Sequence, residues 1–73
     1  MKEITIKTDY ITLGQLLKYL SYVGSGGEAK IFLQEKKIFL NHVLENRRGK
    51  KIYPNDIVKI ESEEFLIKLN ENK

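Results

Sequence analysis

The sequence predicts a small α+β domain in which two short helices pack against a small, mainly antiparallel β-sheet. The chain has 73 residues and no cysteine, so we expect residues 1–73 to form a single domain without disulfide crosslinks. Its first half carries two helix-start signatures, Thr12 with Gln15 and Ser25 with Glu28, each followed by apolar residues at helical spacing. Its second half shows short alternating segments separated by turn residues, the pattern of strands. Helices followed by a run of strands favour the α+β class.

The first half of the chain predicts one strand and two helices. Residues 3–7 alternate as a strand, and Thr12 opens a helix that we expect to end at Gly24 in the left-handed conformation. The apolar stripe of this helix follows the spacing i, i+3, i+4, i+7, and consists of Leu13, Leu16, Leu17 and Leu20. The second helix is predicted over residues 26–35, and its core-facing residues are Ala29, Phe32 and Leu33. The short connection requires the two helices to be neighbours.

The start of the second helix is the first candidate for function. Ser25 and Glu28 form the predicted capping box, and the two positions between them are Gly26 and Gly27. No side chain there covers the first amide groups, and unpaired amides at the positive end of a helix dipole suit a phosphate. Lys30 follows one turn later. The alternative interpretation is an ordinary helix start whose glycines only let the chain turn.

The second half predicts a small sheet. Asn41-His42 is placed to form a tight hairpin turn, although histidine is a poorer choice than glycine for positive φ. Residues 46–51 are a polar, basic loop or edge strand, and Pro54-Asn55-Asp56 is a turn signal. We expect the last two strands to pair across Ser62-Glu63. The predicted strands are Lys37–Leu40, the return beginning at Val43-Leu44, Ile57–Ile60 and Phe65–Leu69.

The positive charge is concentrated in one segment. The whole chain has a net charge of +3, whereas residues 36–51 carry six basic residues against one acidic residue, a net charge of +5. Such a segment is typical of a surface that binds a polyanion, although solvated basic loops are also common.

These segments together resemble the S-four RNA-binding domain, a family named after a small-subunit ribosomal protein and also called the αL motif. The similarity covers residues 11–60 and is greatest to the small stand-alone members of the YaaA type, which share the Ser-Gly-Gly opening and an Arg-Arg-Gly-basic segment. The motifs that carry it are Leu13-x-x-Leu16-Leu17, Ser25-Gly26-Gly27-Glu28-Ala29-Lys30, Lys37-Ile38-Phe39-Leu40-Asn41 and Pro54-Asn55-Asp56-Ile57-Val58.

The resemblance implies an αL-type fold that binds structured RNA, ribosomal or transfer RNA, through the two helices and the following hairpin. It places Ser25, Gly26, Gly27 and Lys30 at the helix-start contact region, Lys36 and Lys37 just before the first hairpin strand, and Arg47, Arg48, Lys50 and Lys51 on the basic return.

The chain departs from this family at the helix start. Many relatives have Ser-Arg-x-Glu-Ala, whereas here Gly26 stands in place of the arginine. In this chain, the phosphate contact of that arginine would have to be made by Lys18, by Lys30 or by the exposed backbone amides. Tyr19 and Tyr22 lie beside Lys18 and off the leucine stripe, so either is placed to stack on an unpaired base or to cover the core edge.

Catalysis and membrane insertion have no support in the sequence. One histidine, no cysteine and scattered carboxylates predict no enzyme, no metal site and no cofactor. The apolar runs are too short to span a bilayer and the N-terminus lacks a signal-peptide core, so we expect a cytoplasmic protein.

Two functions remain. The first is a monomeric, non-catalytic protein that binds structured RNA, ribosomal RNA or ribosomal particles by resemblance. The second is a small adaptor whose basic face docks on an acidic protein partner. The first requires the amides of Gly26 and Gly27 to share one exposed face with the arginines and lysines near Gly49.

Overall fold

The computed structural model describes residues 1–70, and residues 71–73, the end of the predicted domain, lie outside this part. Within residues 1–70 the elements alternate between short strands and two helices. They are β1 (Lys2–Ile6), β2 (Ile11–Thr12), α1 (Leu13–Tyr19), α2 (Gly26–Glu35), β3 (Ile38–Leu40), β4 (Val43–Leu44), β5 (Lys51–Ile52), β6 (Ile57–Ile60) and β7 (Glu63–Leu69). The predicted α+β class is confirmed.

Five strands form one sheet in the order β1-β7-β6-β3-β4. Its neighbours are antiparallel except β1 and β7, which run parallel with Ile4 opposite Ile67. The β6–β7 hairpin pairs Ile60 with Glu63, so its turn is Glu61-Ser62 and lies one residue before the predicted position. Glu61 adopts the left-handed conformation that this turn requires, with φ 56°.

The helices cover one face of the sheet and build a single core with it. The predicted stripe of α1 supplies three buried leucines, while Leu20 and Phe32 are only half-buried at the rim. The core consists of Ile6, Leu13, Leu16, Leu17, Val23, Ala29, Leu33, Ile38, Ile52, Val58, Ile60, Phe65 and Ile67.

The end of α1 differs from the prediction. The helix ends at Tyr19, and Ser21 rather than Gly24 takes the left-handed conformation, with φ 65°. Ser21 N–H donates to the Lys18 carbonyl and Tyr22 N–H to the Leu17 carbonyl, both at 3.0 Å. These two bonds form a Schellman motif, which satisfies the last carbonyls without a glycine.

The β3–β4 hairpin turns at Asn41-His42, as predicted. Both residues are left-handed, with φ 51° and 70°, as a two-residue turn of this type requires. The Asn41 side chain fixes the turn to the strand beside it: its Oδ1 accepts from Ile57 N–H at 2.9 Å and its Nδ2 donates to Asp56 Oδ1 at 3.1 Å.

The segment between β4 and β5, residues 45–50, is a loop, and we call it the basic loop. Beyond it, β5 pairs antiparallel with β2, so that Ile11 lies opposite Ile52 and Thr12 opposite Lys51. The sequence did not predict this two-stranded ribbon. It ties the basic loop to the residues that open α1.

Candidate nucleic-acid interface

The N-terminus of α2 is organised by Ser25. Ser25 is extended, its Oγ accepts from Glu28 N–H at 3.2 Å, and its carbonyl accepts the first helical bond, from Ala29 N–H at 3.0 Å. The second half of the predicted capping box is wrong. The Glu28 carboxylate accepts from Gly24 N–H at 3.3 Å instead of from Ser25, because the chain before the helix brings the Gly24 amide within reach.

The two helices differ in what their first amides bind. In α1 all three are occupied: Leu13 N–H donates to the Lys50 carbonyl at 2.9 Å, Gly14 N–H to the Arg48 carbonyl at 2.8 Å, and Gln15 N–H to Thr12 Oγ1 at 3.2 Å. In α2 the amides of Gly26 and Gly27 have no acceptor among residues 1–70. The start of α1 therefore holds the basic loop, while the start of α2 stays open to an anion.

Gly14 allows the basic loop to dock. A Cβ at this buried position would lie 3.3 Å from the Arg48 carbonyl oxygen and 3.4 Å from the Arg48 Cβ. Glycine therefore lets the backbone of the loop approach α1 this closely, whereas a Cβ would require the loop to shift by a few tenths of an ångström. The docked backbone in turn fixes where the Arg48 side chain starts.

Arg48 reaches from the basic loop to the start of α2. Its Nη1 donates to the Gly26 carbonyl at 2.9 Å, and a Cβ at Gly26 would lie 3.3 Å from the same nitrogen. Arg48 thus places a guanidinium at the very residue where the family resemblance implies an arginine. The sequence offered Lys18 and Lys30 for this role and did not single out Arg48.

A shallow depression of about 220 Å³ brings the pieces together. Its lining includes Lys18 from α1, Gly26 from α2, and Arg48 and Gly49 from the basic loop. Lys30 lies one helical turn beyond Gly26 and is exposed. The structure therefore brings the α2 start, Lys18 and Arg48 onto one face, as the RNA-binding hypothesis requires.

Arg47 has a different environment from Arg48. Its Nε donates to Glu45 Oε2 at 2.9 Å and its Nη2 to Glu45 Oε1 at 3.2 Å, a bidentate ion pair. The Arg47 guanidinium lowers the pKa of the Glu45 carboxyl, whose side chain is only 11% exposed. Part of the charge of Arg47 is thus balanced within the loop.

Lys50 and Lys51 extend the cationic surface beyond Gly49. Together with Arg47, Gly49 and Tyr53 they line a second depression, and Gly49 borders both depressions. The two depressions meet at Gly49, and we call the residues that line them together the basic face.

Lys36 and Lys37 are not brought to this cluster. Lys36 is the C-cap of α2, its N–H donates to the Phe32 carbonyl at 2.8 Å, and Lys37 follows it. Ten helical residues rise about 15 Å, so these two lysines lie at the opposite end of α2 from Gly26.

The two tyrosines considered for base stacking have different environments. Tyr22 packs against Phe32 with ring centroids 5.6 Å apart, and burial raises its pKa, so it covers the core edge. Tyr19 is 65% exposed on α1. A second aromatic pair, Tyr10 and Tyr53, was missed, because nothing in the sequence shows that residues so far apart meet across β2 and β5.

Residues 1–70 offer neither a metal site of the usual protein ligands nor a membrane-spanning helix. No group of three or more His, Cys, Asp or Glu side chains is placed to hold a metal ion. Neither helix in this range has the length and apolar character needed to cross a membrane.

The fold and this surface define the class of the protein. It is a small basic α+β domain in which the open N-terminus of a helix lies beside a cationic loop. Residues 4–68 match the family model described as the S4 domain, and the chain belongs to that family. The sequence-based resemblance is thereby confirmed, over a longer span than the motifs indicated.

The chain is also similar to a protein of Bacillus subtilis (strain 168) whose name is "Probable ribosome maturation protein RlbA". The two are 50% identical over 58 residues, which cover 80% of this chain and 82% of the relative.

Proposed function

We propose that this protein binds structured RNA, specifically ribosomal RNA in ribosomal particles, and that it does so without catalysing a reaction. The observation that carries the proposal is the Arg48 guanidinium at the start of α2, beside two amides that have no acceptor within residues 1–70. Membership of the S4 domain family supports RNA as the polyanion. The name of the Bacillus subtilis relative supports a role in the maturation of ribosomes.

The surface suggests how the RNA backbone lies on it. One phosphate accepts from the amides of Gly26 and Gly27, with Arg48 and Lys18 supplying the balancing charge. The next phosphates follow the basic face past Gly49 to Lys50 and Lys51. If four or five phosphates are bound in this way, the logarithm of the affinity should fall with the logarithm of the salt concentration with a slope of about −3.5 to −4.5.

Folded RNA fits this surface better than a DNA major groove. Neither helix carries the row of Arg, Asn and Gln side chains that reads base edges in DNA. Two short helix ends beside a loop instead match the backbone and shape of folded RNA. The proposal includes a single domain, residues 1–73, that acts as a monomer in the cytoplasm and needs no metal, cofactor or small-molecule substrate.

The test is sedimentation of the tagged protein with ribosomal particles from a bacterial lysate, with and without nuclease. We expect co-sedimentation with the particles that nuclease abolishes and that Arg48→Ala weakens. The matched control is Lys59→Ala. Lys59 lies between the buried Val58 and Ile60, so its side chain points to the face of the sheet opposite the core and the helices. Capture of an acidic protein that survives nuclease, with no recovery of particles, would show the adaptor function instead.

A further inference from the structure

An exposed aromatic pair lies at the end of the β2–β5 ribbon. Ile11 pairs with Ile52, and continuing this antiparallel register by one residue sets Tyr10 opposite Tyr53. The ring centroids are 5.8 Å apart with the planes inclined at 51°. Because Ile52 is fully buried and Ile11 packs against the core, the alternation of side chains places Tyr10, Tyr53 and Lys51 on the outer face of the ribbon.

Both tyrosines are held in place by their backbones yet exposed at their rings. Tyr53 N–H donates to Asp56 Oδ2 at 2.8 Å and its carbonyl accepts from Asp56 N–H at 3.0 Å. The Tyr10 carbonyl accepts from Thr8 Oγ1 at 2.7 Å. Tyr10 as a residue is 38% exposed and Tyr53 is 48% exposed. The backbones are thus fixed, and the contact between the two rings restricts both side chains before a ligand packs on them.

The aromatic pair is continuous with the basic face. Lys51 Nζ lies 4.8 Å from the centroid of the Tyr10 ring, so a cation already covers that ring. The Tyr53 ring has only Tyr10 as an aromatic neighbour and no cation over it in the described part of the chain. Tyr53 also lines the depression of about 410 Å³ that includes Lys50 and Gly49. A π-face is thus available beside the cations that hold the RNA backbone.

We propose that Tyr53, supported by Tyr10, stacks on one unpaired base of the bound RNA, while Lys50 and Lys51 hold the phosphates that flank it. The inference rests on the proposed RNA-binding function and makes it more specific: the preferred RNA has an unpaired nucleotide next to a duplex. Aromatic stacking tolerates any base, so the surface selects for an unpaired position more than for a sequence.

The experiment measures binding of the purified full chain to two labelled RNA hairpins by fluorescence anisotropy. The two hairpins have the same stem, closed by the same non-nucleotide linker so that the paired hairpin offers no unpaired base, and in one of them the stem carries a single unpaired adenosine. We expect the wild type to bind the bulged hairpin more tightly. Tyr53→Ala should weaken binding to the bulged hairpin by about 5- to 150-fold, the effect of losing one stacked base, and change binding to the paired hairpin by less than about twofold.

Two further variants separate stacking from a structural role. Tyr53→Phe keeps the ring and should bind the bulged hairpin like the wild type, whereas Tyr53→Leu keeps apolar bulk without a π-face and should behave like Tyr53→Ala. The slope of affinity against salt should stay the same in all three variants, because no phosphate contact is removed. Circular dichroism and thermal unfolding check that each variant is folded.

Several outcomes would overturn the inference. Equal affinity of the wild type for the two hairpins would do so. Wild-type affinity of Tyr53→Leu for the bulged hairpin would do so as well. Loss of the preference in Tyr19→Ala rather than in the Tyr53 variants would place the stacking on α1. Each of these three results would rule out the stacking site but not the proposed function, because salt-dependent binding of RNA would still be observed. If the wild type binds neither hairpin, or binds with no dependence on salt, the proposed function itself is wrong and the stacking site falls with it.

Discussion

Replacing Arg48 with alanine tests the proposed interface most directly. The contact made by the side chain runs from Nη1 to the Gly26 carbonyl at 2.9 Å, on the exposed surface. The loop itself is held by backbone bonds, because the Arg48 carbonyl accepts from Gly14 N–H and the Lys50 carbonyl from Leu13 N–H. Truncation at Cβ therefore removes a cation from the start of α2 and leaves the docking of the basic loop in place.

The expected magnitude follows from the release of counterions. One phosphate contact contributes about −0.9 to the slope of log affinity against log salt. Losing it should weaken binding about fivefold near 0.15 M salt and about 15-fold near 0.05 M salt, and the loss should vanish toward 1 M. The slope itself should become less steep by about one unit.

The assay is a salt titration of binding to a structured ribosomal RNA fragment, followed by fluorescence anisotropy. Arg48→Lys should retain the slope because it keeps the charge, although it lacks the planar fork of the guanidinium. Lys59→Ala removes the same charge from the other face of the sheet and should leave the slope unchanged. The reasoning is refuted if Arg48→Ala and Lys59→Ala weaken binding equally, or if the loss in Arg48→Ala does not vary with salt.

Three further substitutions test single features of the surface. Gly27→Glu should raise the free energy of unfolding by up to about 1 kcal/mol, because its Cβ would meet only Ser25 Oγ at 3.9 Å and glutamate favours the helix more than glycine does. It should nevertheless weaken RNA binding more than Gly27→Gln, because it places a negative charge beside the proposed phosphate. Unchanged affinity would mean that the phosphate binds elsewhere. Gly14→Ala should lower the free energy of unfolding, measured in urea, by about 1 kcal/mol, because its Cβ would lie only 3.3 Å from the Arg48 carbonyl oxygen. A stabilised variant would instead show that the basic loop can shift to make room for the methyl group. Since Arg47 lowers the pKa of Glu45 from its ordinary value of 4.5, the carboxylate stabilises the fold above that value and loses this effect as the pH falls through the lowered one. The stability difference between wild type and Glu45→Gln should therefore be constant near neutral pH and shrink as the pH falls below 4.5, and a difference independent of pH would contradict the ion pair.

The sequence predicted those features that depend on residues close together in the chain. The two helix starts at Thr12 and Ser25 lie where the sequence placed them, because a capping side chain needs only the amides of the next turn. The Asn41-His42 turn was predicted for the same reason, since its conformation is set by the local backbone and by the Asn41 side chain. The end of α1 was predicted wrongly at Gly24, because glycine favours a left-handed cap but does not force one, and Ser21 took that conformation.

Only the tertiary structure decided which parts of the basic segment reach the α2 start. The sequence by itself established a basic α+β chain with an open helix N-terminus, and it grouped Arg47 with Arg48 as equivalent cations. The fold separates them: the docking of the loop on Gly14 sends Arg48 to Gly26, while Arg47 turns back to Glu45. Such contacts depend on how segments distant in the chain pair with each other. The local sequence pattern of either segment does not show which partner it pairs with, nor in which register.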